Sequence, residues 1–220
     1  MVTLVIESDR VSIPEWVKDL ASFRRWARSD EFPETGRVCF LDGEVWVDMS
    51  NEQIFTHVLV KTKFIAALST VVDAQQLGLF LADGALLSNV DADIAVNPDA
   101  TFVSTDALRD RVRVLEGKRK GHVELEGSPE TVLEVVSDGS VHKDTRQLRQ
   151  DYLVAGIREY WLVDARSEPL AFDILRHTPK GYRSTPKKDG WLKSAVFGKS
   201  FRLTCQTSGL GHPNYTLEVR

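Results

Sequence analysis

TVLEVVSDGSVHKDTRQLRQDYLVAGIREYWLVD, residues 131–164, opens with a β-rich apolar run, crosses a polar loop into a helix and closes with a second β-rich run. Side chains alternate along a strand, so Val132, Glu134 and Val136 share one face while Thr131, Leu133 and Val135 share the other. Both faces are otherwise apolar, the pattern of an interior strand covered on both sides. An ionised carboxylate there costs roughly several kcal/mol unless it is paired, hydrogen-bonded or bound to a metal. Glu134 therefore marks a site, and Lys143, Arg146 and Arg149 are its nearest cationic candidates in sequence. Leu148, Tyr152 and Ala155 recur at four- and three-residue steps and should face the core. Gly156 ends the helix at its C′ position. Strand, helix and strand at this spacing make a βαβ unit if the two strands are parallel.

The rest of the composition sets the frame. A chain of 220 residues, 42% hydrophobic and 27% charged, suits one globular domain with an N-terminal extension. Cys39 and Cys205 are isolated, so neither a zinc site nor a disulfide framework is indicated, and a reducing cytoplasm is expected. No apolar run approaches the roughly 20 residues of a membrane span, and the first ten residues carry Glu7 and Asp9 in place of a signal sequence, so neither secretion nor membrane attachment is expected. The net charge of −4 argues against a protein that coats nucleic acid indiscriminately but not against a nuclease, whose metal-site carboxylates enter that sum.

Upstream, residues 14–28 have an amphipathic helical period with Pro14 near the first turn. RVCFL and EVWVDM, joined by Asp42-Gly43, read as a hairpin. A helix is expected from Asn51 as N-cap to about residue 70, with Glu52 and His57 as polar residues on a solvated face or at a site. LGLFLAD and ALLSNV read as a second pair of short strands around Asp83-Gly84. Pro98 interrupts a ladder, since it has no N–H to donate. Asp99 follows it, and Pro-Asp alone is equally common as turn chemistry. Residues 106–122 begin helix-prone and become basic through Arg109, Arg111, Arg113, Lys118, Arg119 and Lys120, either a solvated run or a phosphate-contacting patch. A weaker basic cluster, from Arg176 to Lys188, lies among expected C-terminal strands at ILRHT, GYRST, SAVF and FRLT. Tyr160 and Trp161 are read as core.

Pro98-Asp99, then Glu134 in a β-run, then a nearby lysine resemble the PD-(D/E)XK, or restriction-endonuclease-like, nucleases. EVVS, then KD, Tyr152 and AGIREYWLVDAR are similar to the Uma-two-type family of endonucleases within that superfamily, over roughly residues 40–175. The resemblance implies a mixed α/β fold with a central mixed sheet flanked by helices, built as a nuclease domain at 37–205 between a helical extension at 1–36 and a tail at 206–220. It also implies Asp99, Glu134 and the backbone carbonyl of Val135 as ligands of Mg²⁺, with Mn²⁺ as a substitute, and His57 at the water or substrate. Mg²⁺ suits such a site, since it takes hard oxygen ligands and needs only one or two carboxylates.

The chain departs from the family pattern at the lysine. The two usual positions are Val136 and Leu148, both apolar. Lys143 is the substitute, but on an α-helix it would sit roughly 140° from position 148 and reach the site only from the loop or first turn. Gln147 could position a water, Ser137 and Asp138 start a turn, and Glu44 and Glu52 are further acidic candidates. The expected activity is Mg²⁺-dependent endonucleolytic hydrolysis of DNA by an activated water, with a homodimer expected by analogy. The rival is a catalytically lapsed nucleic-acid-binding or regulatory module that keeps the fold.

Overall fold

The computed structural model describes residues 4–6, 9–33, 36–48, 51–117 and 120–220. In chain order, β1 (Leu4–Ile6) and β2 (Asp9–Val11) form a small hairpin before helix α1 (Leu20–Ala27), and β3 (Arg37–Leu41) and β4 (Glu44–Asp48) form a second one. A π-helical turn (Ile54–Leu59) runs directly into α2 (Val60–Gln75). Then come β5 (Gly78–Ala82), β6 (Leu86–Asn89), β7 (Ile94–Val96), β8 (Ala100–Ser104), α3 (Thr105–Asp110), β9 (Val112–Glu116), β10 (His122–Gly127) and β11 (Thr131–Val135). A second π-helical turn (Lys143–Gln147) leads into α4 (Leu148–Val154). The chain finishes with β12 (Glu159–Asp164), β13 (Ala171–Arg176), β14 (Arg183–Ser184), β15 (Leu192–Lys193), β16 (Ser200–Thr207) and β17 (Pro213–Val219).

The strands form two six-stranded sheets, ordered β4-β3-β7-β6-β10-β9 and β14-β13-β12-β11-β8-β5, with a three-stranded sheet β15-β16-β17. β11 lies inside the second sheet, antiparallel to β8 and parallel to β12 with Glu134 opposite Leu162. The expected βαβ unit is therefore present, and every residue of β11 is buried. Leu133 and Val135 pack with Phe64, Leu68 and Val72 of α2 and with Trp161. Val132 packs on the opposite face with Leu148, Tyr152 and Tyr160. Gly156 follows α4 at φ +73°, the left-handed stop expected of it.

Several boundaries differ from the sequence reading. The first helix begins at Leu20, not near Pro14, because Asp19 caps it in a reciprocal box with Ser22 while Val17 N–H bonds back to the Pro14 carbonyl at 3.0 Å in a separate turn. Asn51 is not the N-cap of the next helical run, which starts after Gln53 as a π turn. β5 and β6 do not pair with each other: β5 joins β8 in one sheet and β6 joins β7 and β10 in the other. SAVF, residues 194–197, is not a strand. It is a loop held by the buried carboxylate of Glu159, which accepts from Ser194 Oγ at 2.6 Å, Ala195 N at 2.6 Å, Val196 N at 3.2 Å and Trp161 Nε1 at 3.0 Å. Within residues 206–220, expected as a tail, β17 pairs with β16 and buries Tyr215 beside α2's core residues.

The continuous helix over Ile54–Gln75 has 22 residues and contains an 18-residue stretch of mean hydropathy 1.4, long and apolar enough by composition to cross a membrane. No uninterrupted apolar run underlies it, since Lys61 and Lys63 fall within the helix. Here its inner face supplies Val60, Phe64, Leu68, Val71 and Val72 to the core.

Candidate active site

The pairing of β8 with β11 stops at Ala100 opposite Leu133. Pro98 cannot extend the ladder, and the side chain of Asp99 takes over, its Oδ2 accepting from Val135 N at 2.8 Å. This bond fixes the Asp99 carboxylate beside the end of β11, where Glu134 lies. Asp99 is only 4% exposed. His57 Nε2 lies 3.4 Å from Asp99 Oδ2, and Lys61 Nζ lies 3.4 Å from Oδ1. Burial alone would raise the Asp99 pKa, but the hydrogen bond and charge of His57, with Lys61 and the Val135 amide, bring it below the usual carboxylate value.

Lys61 also donates to Glu52 Oε1 and Asp83 Oδ2, both at 2.9 Å, and Arg37 bridges Glu52 and Asp83. His57 Nδ1 stands 3.3 Å from Glu52 Oε2. Glu52, His57 and Asp99 thus offer three ligand atoms within 4.8 Å of one another. Lys61 and Asp83 were not singled out in the sequence, nor was Arg37. The signal for Lys61 is a lysine one turn after His57, interrupting the apolar face that continues through Phe64 and Leu68. Asp83 and Arg37 carried no such signal, since only the fold brings them together.

Glu134, also 4% exposed, accepts from the Tyr152 hydroxyl at 2.6 Å. Burial pushes its carboxyl well above the usual glutamate pKa, and the nearby carboxylates of Asp144 and Asp99 push it further, against the pull of Lys143. Asp144 accepts from Ser140 through one oxygen, and its Oδ1 lies 3.5 Å from Lys143 Nζ without a hydrogen bond. Burial lowers the Lys143 pKa, but Glu134 and Asp144 outweigh it and move the ammonium up to about 12. Lys143 is therefore a fixed cation and not a free base.

The expected angular conflict at Lys143 is resolved by the backbone. Lys143 is the first residue of a π-helical turn, and the Leu148 amide bonds to the Lys143 carbonyl with i→i+5 closure. This wide turn sets the two residues on one side, and both line a single cleft with Glu134, Arg37, Cys39 and Trp46. Arg146 faces solvent, Arg149 donates to the Tyr182 carbonyl at 3.3 Å, and Glu44 is exposed on β4. Ser137 and Asp138 do form a turn, with Asp138 accepting from Gln53 and Arg166. Tyr160 and Trp161 are fully buried. In the basic run, Arg109, Arg111 and Arg113 pair with Asp106, Glu130 and Glu126, while Lys118 and Arg119 lie outside the described residues.

Five carboxylates, Glu52, Asp83, Asp99, Glu134 and Asp144, therefore share a half-buried network with three fixed cations, Arg37, Lys61 and Lys143. The negative excess, the hard oxygen donors and the close grouping of Glu52, His57 and Asp99 fit a small divalent cation.

A mixed sheet with a buried acidic pair at the end of its central strand is the architecture of the restriction-endonuclease-like class. The family model Uma2, described as "Putative restriction endonuclease", matches residues 20–205, and the chain belongs to that family. The fold is shared with a protein of Anabaena variabilis ATCC 29413 described as a "putative nuclease belonging to DUF820", at a TM-score of 0.60 and 14% identity over 82% of this chain and 90% of that one. No curated protein matches the chain.

Proposed function

We propose that the protein is a divalent-cation-dependent endonuclease that hydrolyses DNA phosphodiesters, with Asp99 and Glu134 as the central carboxylates. The observation that carries this reading is the position of Lys143: the lysine absent from both usual places stands in the same cleft as Glu134. A lapsed module would have no need to keep a mostly buried cation there. Asp99 and Glu134 would hold the cation, Mg²⁺ or Mn²⁺, together with the Val135 carbonyl; Glu52 and His57 approach Asp99 from the other side. When bound, the cation would neutralise charge at the scissile phosphate and make a water nucleophilic near neutral pH.

The chain's own residues supply the rest. Lys143, charged at any working pH, holds an oxygen of the phosphate or of the attacking water through its ammonium donors. Tyr152 holds the Glu134 carboxylate by its 2.6 Å bond, leaving the other oxygen for ligation. Lys61 and the Val135 amide fix Asp99 in the same way. Nicking of supercoiled plasmid with Mg²⁺, lost in EDTA and in Glu134→Ala and Asp99→Ala, is the expected result. Equal nicking by wild type and both variants would sink the proposal.

A further inference from the structure

The wall of the cleft facing Glu134 is the β3–β4 hairpin, and it presents a partly exposed indole. Cys39 pairs with Trp46 and Arg37 with Asp48 across the hairpin, so these four side chains share one face, and all four line the cleft. Trp46 is 41% exposed. Of the other four tryptophans, two are in the core and two have a guanidinium over the ring, although Trp16, at 40%, is about as exposed as Trp46. Trp26 and Trp161 are in the core, Trp16 lies under the Arg25 guanidinium at 4.2 Å, and Trp191 lies against Arg202 and Arg220 at 4.7 and 4.0 Å. Among the described residues, no ring or guanidinium covers Trp46.

Resting on the nuclease reading above, we propose that Trp46 is a stacking platform and that the site takes a nucleotide whose base is unpaired. The substrate class is single-stranded nucleic acid, or an unpaired segment within a duplex. In a duplex the faces of a base are covered by its neighbours, so an indole can be covered only by a base that has left the stack. The cleft supplies what such a nucleotide needs: the indole face, apolar floor residues Val96 and Leu148, and the cations Arg37 and Lys143 beside Glu134. Asp99 and Glu134 are both buried, so a phosphate reaching them carries its nucleoside in below the hairpin.

The test is anisotropy binding of labelled 12-nucleotide single-stranded DNA, RNA of the same sequence and the DNA duplex, with Ca²⁺ replacing Mg²⁺, in wild type, Trp46→Ala and Trp46→Phe. Wild type is expected to prefer both single strands over the duplex. Trp46→Ala should weaken single-strand binding by about tenfold or more, and Trp46→Phe should recover most of it. Because the side chain is partly exposed and outside the core clusters, both variants should keep the wild-type melting temperature, checked by circular dichroism. Single-strand affinity unchanged in a folded Trp46→Ala, or duplex bound as well as single strands, overturns the proposal. Cleavage with Mg²⁺ separates the two readings: Glu134-dependent cleavage indifferent to Trp46 removes the platform and leaves the nuclease, whereas Trp46-dependent binding without any cleavage removes the nuclease and leaves the platform.

Discussion

At the scale of single residues, the site is a set of buried charges whose states are set by their neighbours. Glu134 and Asp99 are equally buried, yet their pKa values move in opposite directions, because Asp99 has His57, Lys61 and a backbone amide whereas Glu134 faces Asp144. The same reasoning applies at Asp151 on α4, which has a buried oxygen without a hydrogen-bond partner and a pKa raised to about 6, by burial first and by Asp42 second. A raised carboxyl pKa means that the protonated form suits the fold. Its contribution is complete below the ordinary value of 3.8 and is lost as pH rises through about 6. Asp151→Asn should therefore melt at a higher temperature than wild type at pH 7.5, with the two converging near pH 4 in thermal melts. Tyr152→Phe removes the hydroxyl donor to Glu134 and should cost about 1–3 kcal/mol in urea denaturation, the range for leaving a buried polar group without its partner. It should also lower the cleavage rate while the single-strand affinity stays near wild type.

At the scale of elements, the regular parts were legible and the irregular ones were not. The β11–α4–β12 unit was visible because its apolar period is strong: residues 131–135 read as a doubly covered strand, and Leu148, Tyr152 and Ala155 as an inner face, and all are buried. A 3.6-residue period assigns Lys143 to the wrong face, and the route left open to it, the loop or first turn, is the one it takes, but nothing in KDTRQ announces a π turn. Both π turns carry candidate site residues, His57 in one and Lys143 in the other. The loop at residues 194–197 was mistaken for a strand because its order comes from a distant carboxylate, Glu159, and not from its own pattern. Glu159→Ala leaves a hydroxyl, two backbone amides and an indole N–H without their acceptor. At about 1–3 kcal/mol for each buried donor left unsatisfied, the loss should reach about 3 kcal/mol or more, measured by urea denaturation.

At the scale of the whole molecule, the approach of Asp99 to the strand that carries Glu134 was readable from the order of motifs along the chain, while the company these two keep was not. Lys61, Asp83 and Arg37 meet only because β3, α2 and the loop after β5 converge on the end of β8, a contact that no local spacing encodes. Five carboxylates there still outnumber three cations, so a divalent cation should stabilise the entire fold. A cation at 100 times its Kd adds about 2.7 kcal/mol. Mg²⁺ or Mn²⁺ should accordingly raise the melting temperature of wild type, and Asp99→Ala and Glu134→Ala should abolish the rise in the same thermal-shift titration. The central claim is that Lys143, carried to the cleft by the π turn, does the work of the lysine missing from position 148. Single-turnover cleavage of a labelled DNA oligonucleotide with Mg²⁺ by wild type, Lys143→Ala and the double variant Lys143→Ala with Leu148→Lys tests it most directly. The expected result is a fall of about 10²-fold or more in Lys143→Ala, as for loss of one oriented donor, and substantial recovery in the double variant. Cleavage by Lys143→Ala at the wild-type rate would contradict it.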